Sequence, residues 1–337
     1  MHNISKRRYL GNKSAILPFI DKILQSEVST FDSFCDMFAG TGVVGEHFNT
    51  PDTKIISNDI LYANYISLSA FLSNESYDES KISTLIDEFN DTNPTKTNYF
   101  FKNFSEIYFT KDTAKKIGYI REKIQSLFVS GYINNKEKNI LLTSLIYSAD
   151  KIANTVGHYD AFIQKAPKDR KFVMKMLDIQ NHNNKNNQIH NKDANLLIRD
   201  MECDVLYLDP PYNSRQYSDA YHLLENLAIY AKPKVFGKAK KFDRTKIKSQ
   251  YSKVDAPNAL DDLIQNARCR YIMLSYNNTA KKGDARSHAK ISDEQIKGSL
   301  SKRGEVKVFE EDFKIFSAKR STKNTTTERI YFTKVQR

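Results

Sequence analysis

Four consecutive residues, Asp209-Pro210-Pro211-Tyr212, combine groups suited to activating a poorly nucleophilic planar amine. In such an amine, of which the exocyclic N6 of adenine is an example, the lone pair is delocalised into the ring. A carboxylate at Asp209 and a carbonyl at Pro210 can accept its two N–H groups and favour a tetrahedral, attacking nitrogen. The prolines fix the direction of that carbonyl and add no amide donor of their own. Tyr212 offers a flat face on which a base taken out of a duplex can stack. The bland alternative is a proline-stiffened loop with a buried tyrosine. Chance would place this tetrapeptide in roughly one chain in a thousand of this length, which weighs against it.

A second constellation is Asp36-Met37-Phe38-Ala39-Gly40-Thr41-Gly42. Its glycines let the backbone turn sharply and come close to a ligand, while the following helix points amide groups at it. Gly40 to Gly45 reads G-x-G-x-x-G, and Asp59 follows where it can take the hydroxyls of a ribose. On this motif alone NAD, FAD and S-adenosylmethionine all stay open, as does a plain glycine turn. A third stretch, Arg8 to Lys13, says less: Gly11 permits a turn and Lys13 can pair with a carboxylate, or the whole is a basic surface turn.

These residues need elements to position them. Apolar spacing predicts a helix over Ala15 to Leu24, with Pro18 tolerable in its first turn. Phe31 to Phe38 reads as a strand running into the glycine turn and then a helix near Val43. Lys54 to Ser57 reads as a strand and Leu61 to Leu72 as a helix, a rhythm that argues for a parallel sheet with crossover helices. From about Glu75 to Gln188 helical patterns dominate, clearest over Lys138 to Val156. The Asn- and His-rich stretch Asn181 to Asn191 reads as a solvated loop, with DNA contact as the sharper alternative. The sheet pattern then resumes. Val205 to Leu208 and Tyr271 to Ser275 are strands, Ala220 to Ala231 is a helix, and Val306 to Phe309, Phe313 to Phe316 and Arg329 to Thr333 are strand-like. The last two are expected to form a hairpin around Arg320 to Thr327.

The chain of 337 residues carries 52 Lys and Arg against 40 Asp and Glu, a formal charge of +12. Such a balance favours a polyanionic partner, because Lys and Arg displace counterions from phosphates. The polar, basic Met1 to Arg8 is unlike a signal peptide, and no stretch approaches the ~20 apolar residues that cross a bilayer. Cys35, Cys203 and Cys269 lie far apart, and no Cys-x-x-Cys or His-Glu-x-x-His occurs, so no metal site is expected. Reduced thiols in a cytoplasmic protein are the default expectation.

Taken in order, Arg8-Tyr9-Leu10-Gly11-Asn12-Lys13, then Asp36 to Gly42, then Asp209 to Tyr212 resemble the D12-class, alpha-group (Dam-like) DNA N6-adenine methyltransferases. The resemblance implies an α/β fold: a Rossmann-like mixed sheet of the class I S-adenosylmethionine-dependent methyltransferase type with a helical target-recognition insertion. It divides the chain into a catalytic part, 1–74 with 189–337, and an insertion, 75–188. It implies site-specific methylation of N6 of a flipped adenine in double-stranded DNA, within a bacterial restriction-modification or epigenetic system. Asp209, Pro210, Pro211 and Tyr212 would be catalytic. Tyr9, Gly11 and Lys13 would hold the methionine end of S-adenosyl-L-methionine, with Asp209 beside it. Asp36, Phe38, Ala39, Gly40, Thr41 and Gly42 would form its cradle. Asp59 would take its ribose and Asp193 its adenine. A restriction endonuclease acting on the same site, without stable association, is a possible companion.

DNA contacts are expected from several places. Gly157 to Phe162 offers His158 and Tyr159 beside a basic patch, Lys165 to Lys175. The run Lys232 to Lys248, including Lys238, Lys240 and Lys241, interleaves Phe236 and Phe242 and is placed to clamp phosphates. Tyr217, Tyr276 and Asn277 are candidates for the border of a flipped base. Four rivals stand beside this reading. A nicotinamide enzyme has no use for Asp209 to Tyr212. A C5-cytosine enzyme needs a cysteine beside proline, which is absent. Methylation of N4 of cytosine or of RNA adenine is disfavoured by Asp at the motif's first position. A catalytically silent DNA-binding module would leave the filled catalytic positions without purpose.

Overall fold

The computed structural model describes residues 1–180, 183–212, 214–276, 290–314 and 325–336. Helix α1 (Leu17–Glu27) precedes β1 (Ser33–Asp36), α2 (Val43–His47), β2 (Lys54–Asn58) and α3 (Tyr62–Leu72). Helices α4 (Glu79–Asp91), α5 (Tyr99–Phe104), α6 (Lys111–Val129) and α7 (Asn135–Ile152) follow without an intervening strand. The sheet resumes with β3 (Gln188–His190), α8 (Ala194–Leu197), β4 (Glu202–Leu208), α9 (Tyr217–Ala220) and α10 (His222–Ile229). Helix α11 (Ala256–Asn266), β5 (Arg268–Ser275), α12 (Asp293–Ser301), β6 (Val306–Lys314) and β7 (Thr325–Lys334) complete the order.

The strands form one seven-stranded sheet in the order β3-β2-β1-β4-β5-β7-β6. Strands β1 to β5 run parallel to their neighbours, and β7 is inserted antiparallel between β5 and β6. Strand periodicity divides the core in two. Phe34, Ile55, Val205, Tyr207 and Met273 face one side, where α1, α3, α7 and α10 pack. Cys35, Ile56, Leu206, Leu208 and Ile272 face the other, under α8, α11 and α12. With both faces covered, the strands read as continuous apolar runs, which is why the sequence shows them so clearly.

The helices after Glu75 share the first of these cores and do not build one of their own. Helix α7 is buried almost throughout and lies against α3 and α10. A capping box of Asn134 and Glu137 starts it, and the buried Lys136 ammonium donates to the carbonyls of Ser69 (3.1 Å) and Ser73 (2.7 Å) at the end of α3. The expectation of helix up to Gln188 fails beyond Ile152. Among the described residues of 153–187 no helix or strand forms, in a stretch carrying Gly157, Pro167 and dense charge.

Three further expectations are corrected. The Ala220 to Ala231 helix is two short ones, because Tyr221 breaks from helical geometry between α9 and α10. Val306 to Phe309 and Phe313 belong to a single strand up to Lys314, with Ile315 and Phe316 outside the described residues; the charged residues between them suit an edge strand, whose cross-strand pairs include Glu310 with Arg329 and Asp312 with Thr327. The described part of the Asn-rich stretch is more than a solvated loop: it includes β3, and two of its asparagines are used inside the fold. Asn183 and Asn187 donate to the carbonyls of Phe71, Leu72 and Ser73, and Asn187 accepts from Ile55 N–H (2.7 Å), closing the end of α3 and the start of β2. Among the described residues no helix is long and apolar enough to cross a membrane.

Candidate active site

The Arg7 to Lys13 segment is docked over the carboxyl ends of the strands by an aromatic stack. The Tyr9 ring lies 4.8 Å from that of Tyr221 and nearly parallel, with Tyr217 5.4 Å away on the same cluster. The Arg7 guanidinium sits 5.3 and 5.2 Å from the centroids of Tyr9 and Tyr221 and donates to Asn64 Oδ1 at 2.6 Å. Asn64 in turn donates to the Tyr9 hydroxyl (3.1 Å), and Leu10 N–H donates to the Tyr221 hydroxyl (2.7 Å). Tyr217 closes the arrangement by donating to Leu10 O at 3.2 Å.

Beneath this segment the glycine turn leaves β1. Gly40 (φ +55°) and Gly42 (φ +88°) occupy the left-handed region, which other residues adopt at a cost. They serve different purposes. A Cβ on Gly40 would meet Tyr9 Cε1 at 2.8 Å, so this glycine seats the tyrosine ring; one on Gly42 would meet Leu68 Cδ2 at 2.5 Å, so that glycine lets α3 approach. Asp59, at the end of β2, accepts Gly40 N–H (2.9 Å) and Leu61 N–H (2.8 Å), tying the turn to the next crossover. Burial pushes its carboxyl up to about 6, against the pull of those two amides. Asp36 lies deeper still, with Oδ2 unpartnered, and is pushed up to about 8 by burial and then by the nearby Asp209 charge. Glu225 on α10 accepts Tyr62 N–H and Ala63 N–H, both at 2.9 Å, and so caps α3 from outside it.

These groups enclose a cleft of about 870 Å³ open to solvent. Tyr9, Gly11, Lys13, Phe38, Ala39, Gly40, Thr41, Asp59, Asp193, Asp209, Pro211 and Tyr217 line it. Sequence reasoning had put all of these in the site, from five separate stretches of chain. Asp36, Gly42 and Pro210 are buried behind the lining, and Tyr212 is half-buried outside it. At one end Phe38 and Tyr251 meet edge to face at 4.9 Å, a slot suited to a flat ring. Asp193 beside them accepts Asn195 N–H (2.9 Å) and Leu196 N–H (3.2 Å) as the cap of α8. At the other end Asp209 leaves β4. Lys13 Nζ approaches Asp209 Oδ1 at 3.1 Å, the carboxylate pairing that Lys13 was open to on sequence. Burial acts first on both partners: it pushes Asp209 up to about 6 despite the ammonium, while Lys13 is held above the usual lysine range by its carboxylates. Tyr212 stands edge to face with Tyr276, 6.1 Å between centroids.

Sequence reasoning missed the far wall. Ile247, near the end of the basic run, and Tyr251, just after it, are fixed there by a double hydrogen bond between Gln216 and Ser249 (2.9 and 2.8 Å). Neither lies in a periodic run or a motif, so nothing in the order of residues pointed to them. Ile60 also lines the cleft, and its position next to Asp59 at a strand end was a usable signal. Arg7, Asn64 and Glu225 act one layer out, through residues they hold.

The expected DNA contacts are scattered. Tyr159 is fully buried, its hydroxyl donating to Asp150 Oδ1 at 2.8 Å, and presents nothing to a ligand. Tyr276 is likewise buried; its hydroxyl accepts Ile291 N–H (3.1 Å), so it backs Tyr212 and does not border the cleft. Asn277 lies outside the described residues. His158 is half-buried, and burial followed by the Arg215 charge lowers its pKa. Phe236 to Lys241 forms a tight hairpin closed by two backbone hydrogen bonds (2.7 and 3.0 Å). Lys238 and Phe236 are exposed on it, whereas Lys241 is ion-paired with Asp160 and Arg244 with Asp219. The basic run is therefore partly internal scaffolding.

The sheet order, its one antiparallel strand and a cleft at the carboxyl ends of β1, β2 and β4 define the class I S-adenosylmethionine-dependent methyltransferase fold. Residues 9–288 match the D12 class N6 adenine-specific DNA methyltransferase family, and the chain belongs to it. It is 34% identical to the type II methyltransferase M.FokI of Planomicrobium okeanokoites, over 88% of this chain and 47% of that one. It is 31% identical to the modification methylase LlaI of Lactococcus lactis subsp. lactis, over 80% of this chain and 46% of that one. The chain thus spans about half the length of these two relatives. Against the type II methyltransferase M.NlaIII of Neisseria lactamica it is 33% identical, over 80% of this chain and 83% of that one.

Proposed function

We propose that this protein methylates N6 of an adenine at a specific site in double-stranded DNA, using S-adenosyl-L-methionine, as the modification activity of a restriction-modification system. The observation that carries the reading is the position of Asp209: a half-buried carboxylate just past the end of β4, opening into the same cleft as the glycine turn and Asp59. The lining of the cleft suits the cofactor in its chemistry. Asp59 offers carboxylate oxygens to ribose hydroxyls, the Phe38 and Tyr251 slot takes the adenine with Asp193 at its edge, and Tyr9 and Lys13 flank the methionine end. When bound, the cofactor supplies an electrophilic methyl group on a sulfonium sulfur.

The chain's own residues prepare the nucleophile. The Asp209 carboxylate and the Pro210 carbonyl accept the two N–H groups of the target amine and draw its lone pair out of the ring. Tyr212, held edge-on by Tyr276, stacks the extruded base. On receiving the methyl group the nitrogen would become cationic, and the Asp209 carboxylate, or water, would take the proton it then loses. No covalent enzyme intermediate is needed. Proton acceptance of this kind typically contributes 10²–10⁴-fold.

We infer that residues 75–188 carry target recognition, and that Lys238 and Lys240 on the hairpin hold phosphates. A restriction endonuclease of the same specificity, acting without stable association, is the companion this reading implies. Expression in a host without adenine methylation, followed by sequencing for modified bases, tests the reading. N6-methyladenine at one short recurring motif is the expected result, absent from the Asp209→Ala variant. N4-methylcytosine, or no modified base from soluble protein, overturns it.

A further inference from the structure

Strand β7 runs against its neighbours, so its beginning lies at the edge where β4 and β5 end. Ser275, the last residue of β5, pairs with Ile330, and Glu328 is two residues beyond, level with the Asp209 turn. Its carboxylate reaches Lys13: Nζ lies 3.8 Å from Glu328 Oε2 and 3.1 Å from Asp209 Oδ1. Glu328 Oε2 is buried and makes no hydrogen bond. One ammonium therefore stands between two carboxylates, and the farther one has no other partner for that oxygen. Glu328 lies outside the residues matched to the family.

We propose that Glu328 is a positioning residue for methyl transfer: it takes a share of the Lys13 ammonium and so leaves the Asp209 carboxylate a strong acceptor for the target amine. The proposal rests on the role given to Asp209 above. A lysine paired with Asp209 alone would neutralise the group that has to draw on the amine's protons; a second carboxylate on the same ammonium restores that acceptor strength while Lys13 still holds Asp209 in place. The other titratable groups that face Asp209 are Asp36 from β1, Tyr207 on its own strand, Tyr212 from the catalytic turn and Tyr217 from α9. Glu328 raises the proton affinity of Asp209 and Lys13 lowers it, so the two oppose each other at this carboxylate.

The test is the pH profile of single-turnover methylation by the full chain. In the wild type the rate should fall as pH drops through about 6, where Asp209 takes up a proton. Glu328→Gln should move this acid limb down by about one unit, the shift expected from removing a nearby like charge, and lower the rate at neutral pH with KM for DNA unchanged. Glu328→Asp, which keeps the charge, should leave the limb near its wild-type position. An acid limb unmoved in Glu328→Gln, with only the melting temperature lowered, reduces Glu328 to packing and overturns the proposal. Should Glu328→Gln fail to fold, Glu328→Ser takes its place with the same readout: an acid limb shifted down supports the proposal, and one left at its wild-type position overturns it. Asp209→Asn separates this from the reading it rests on, because turnover retained there sinks the role of Asp209 itself.

Discussion

The cleft and the basic outer face use charge in opposite ways. Around the cleft, Asp36, Asp59, Lys13 and Glu225 are buried and Asp209 is half-buried; Asp59, Glu225 and the Lys13–Asp209 pair are held by specific partners at fixed distances. On the hairpin, Lys238 is exposed, and Lys232 spends its charge on a surface pair with Glu122. A buried charge needs a particular neighbour, because desolvation costs several kcal/mol unless it is paired or hydrogen-bonded. An exposed lysine needs only to be near a phosphate, and its neighbour a residue away does nearly as well. Substitution should therefore be abrupt and specific in the cleft, and graded and interchangeable on the outer face.

The largest expected effect is at Asp209. Asp209→Ala should reduce single-turnover methylation by at least about 10²-fold while the affinity for DNA changes little; a variant within tenfold of wild type would break the contrast at its strongest point. Next comes the turn. Gly42→Ala places a Cβ 2.5 Å from Leu68 at φ +88° and should destabilise the fold by about 1–3 kcal/mol, read by urea denaturation. A stability within 0.5 kcal/mol of wild type, taken as roughly the level of an ordinary surface change, would mean that α3 yields easily.

The buried acids also predict a pH signature. Asp36 is pushed from 3.8 up to about 8 in the folded chain, so its folded form holds a proton that the unfolded form releases. Its contribution to stability is full below about 4 and is lost as pH rises through about 8. Asp36→Asn cannot ionise, so the stability of the variant relative to wild type should improve between pH 5 and pH 9, by more than about 1 kcal/mol. A difference flat across that range would show that Asp36 ionises in the folded protein as it does in water. The smallest effects belong to the outer face. Replacing Lys238 and Lys240 with Ala should lower the slope of log affinity against log salt by about 1.8, near 0.9 per phosphate contact. Lys241→Ala should instead cost less than about 1 kcal/mol of stability through its lost pair with Asp160, and leave the slope in place.

The helical region shows where reading from sequence stops. Its best helix, α7, was visible from its apolar residues, yet that helix is buried all round and belongs to the sheet's own core. Periodicity records how much apolar surface a segment hides and says nothing of what covers it. Tyr159 and Tyr276 were misplaced for the same reason: an aromatic residue beside polar ones looks alike whether it faces solvent or stands behind the residue that does. Arg7 was passed over because its partners, Asn64, Tyr9 and Tyr221, are spread over 200 residues of chain.

The order of residues was enough for the strand rhythm, the glycine turn, the Asp209 to Tyr212 tetrapeptide and the acidic groups that line the cleft. Each of these is tied to local backbone geometry or to a chemistry that few residue types can perform, so it leaves a mark in a short stretch. Folding alone brought Glu328 and Lys13 to Asp209, closed the far wall with Tyr251, and divided the lysines between ion pairs and free surface. Those outcomes depend on distances between segments remote in sequence, and such distances are set by how the sheet and its helices pack.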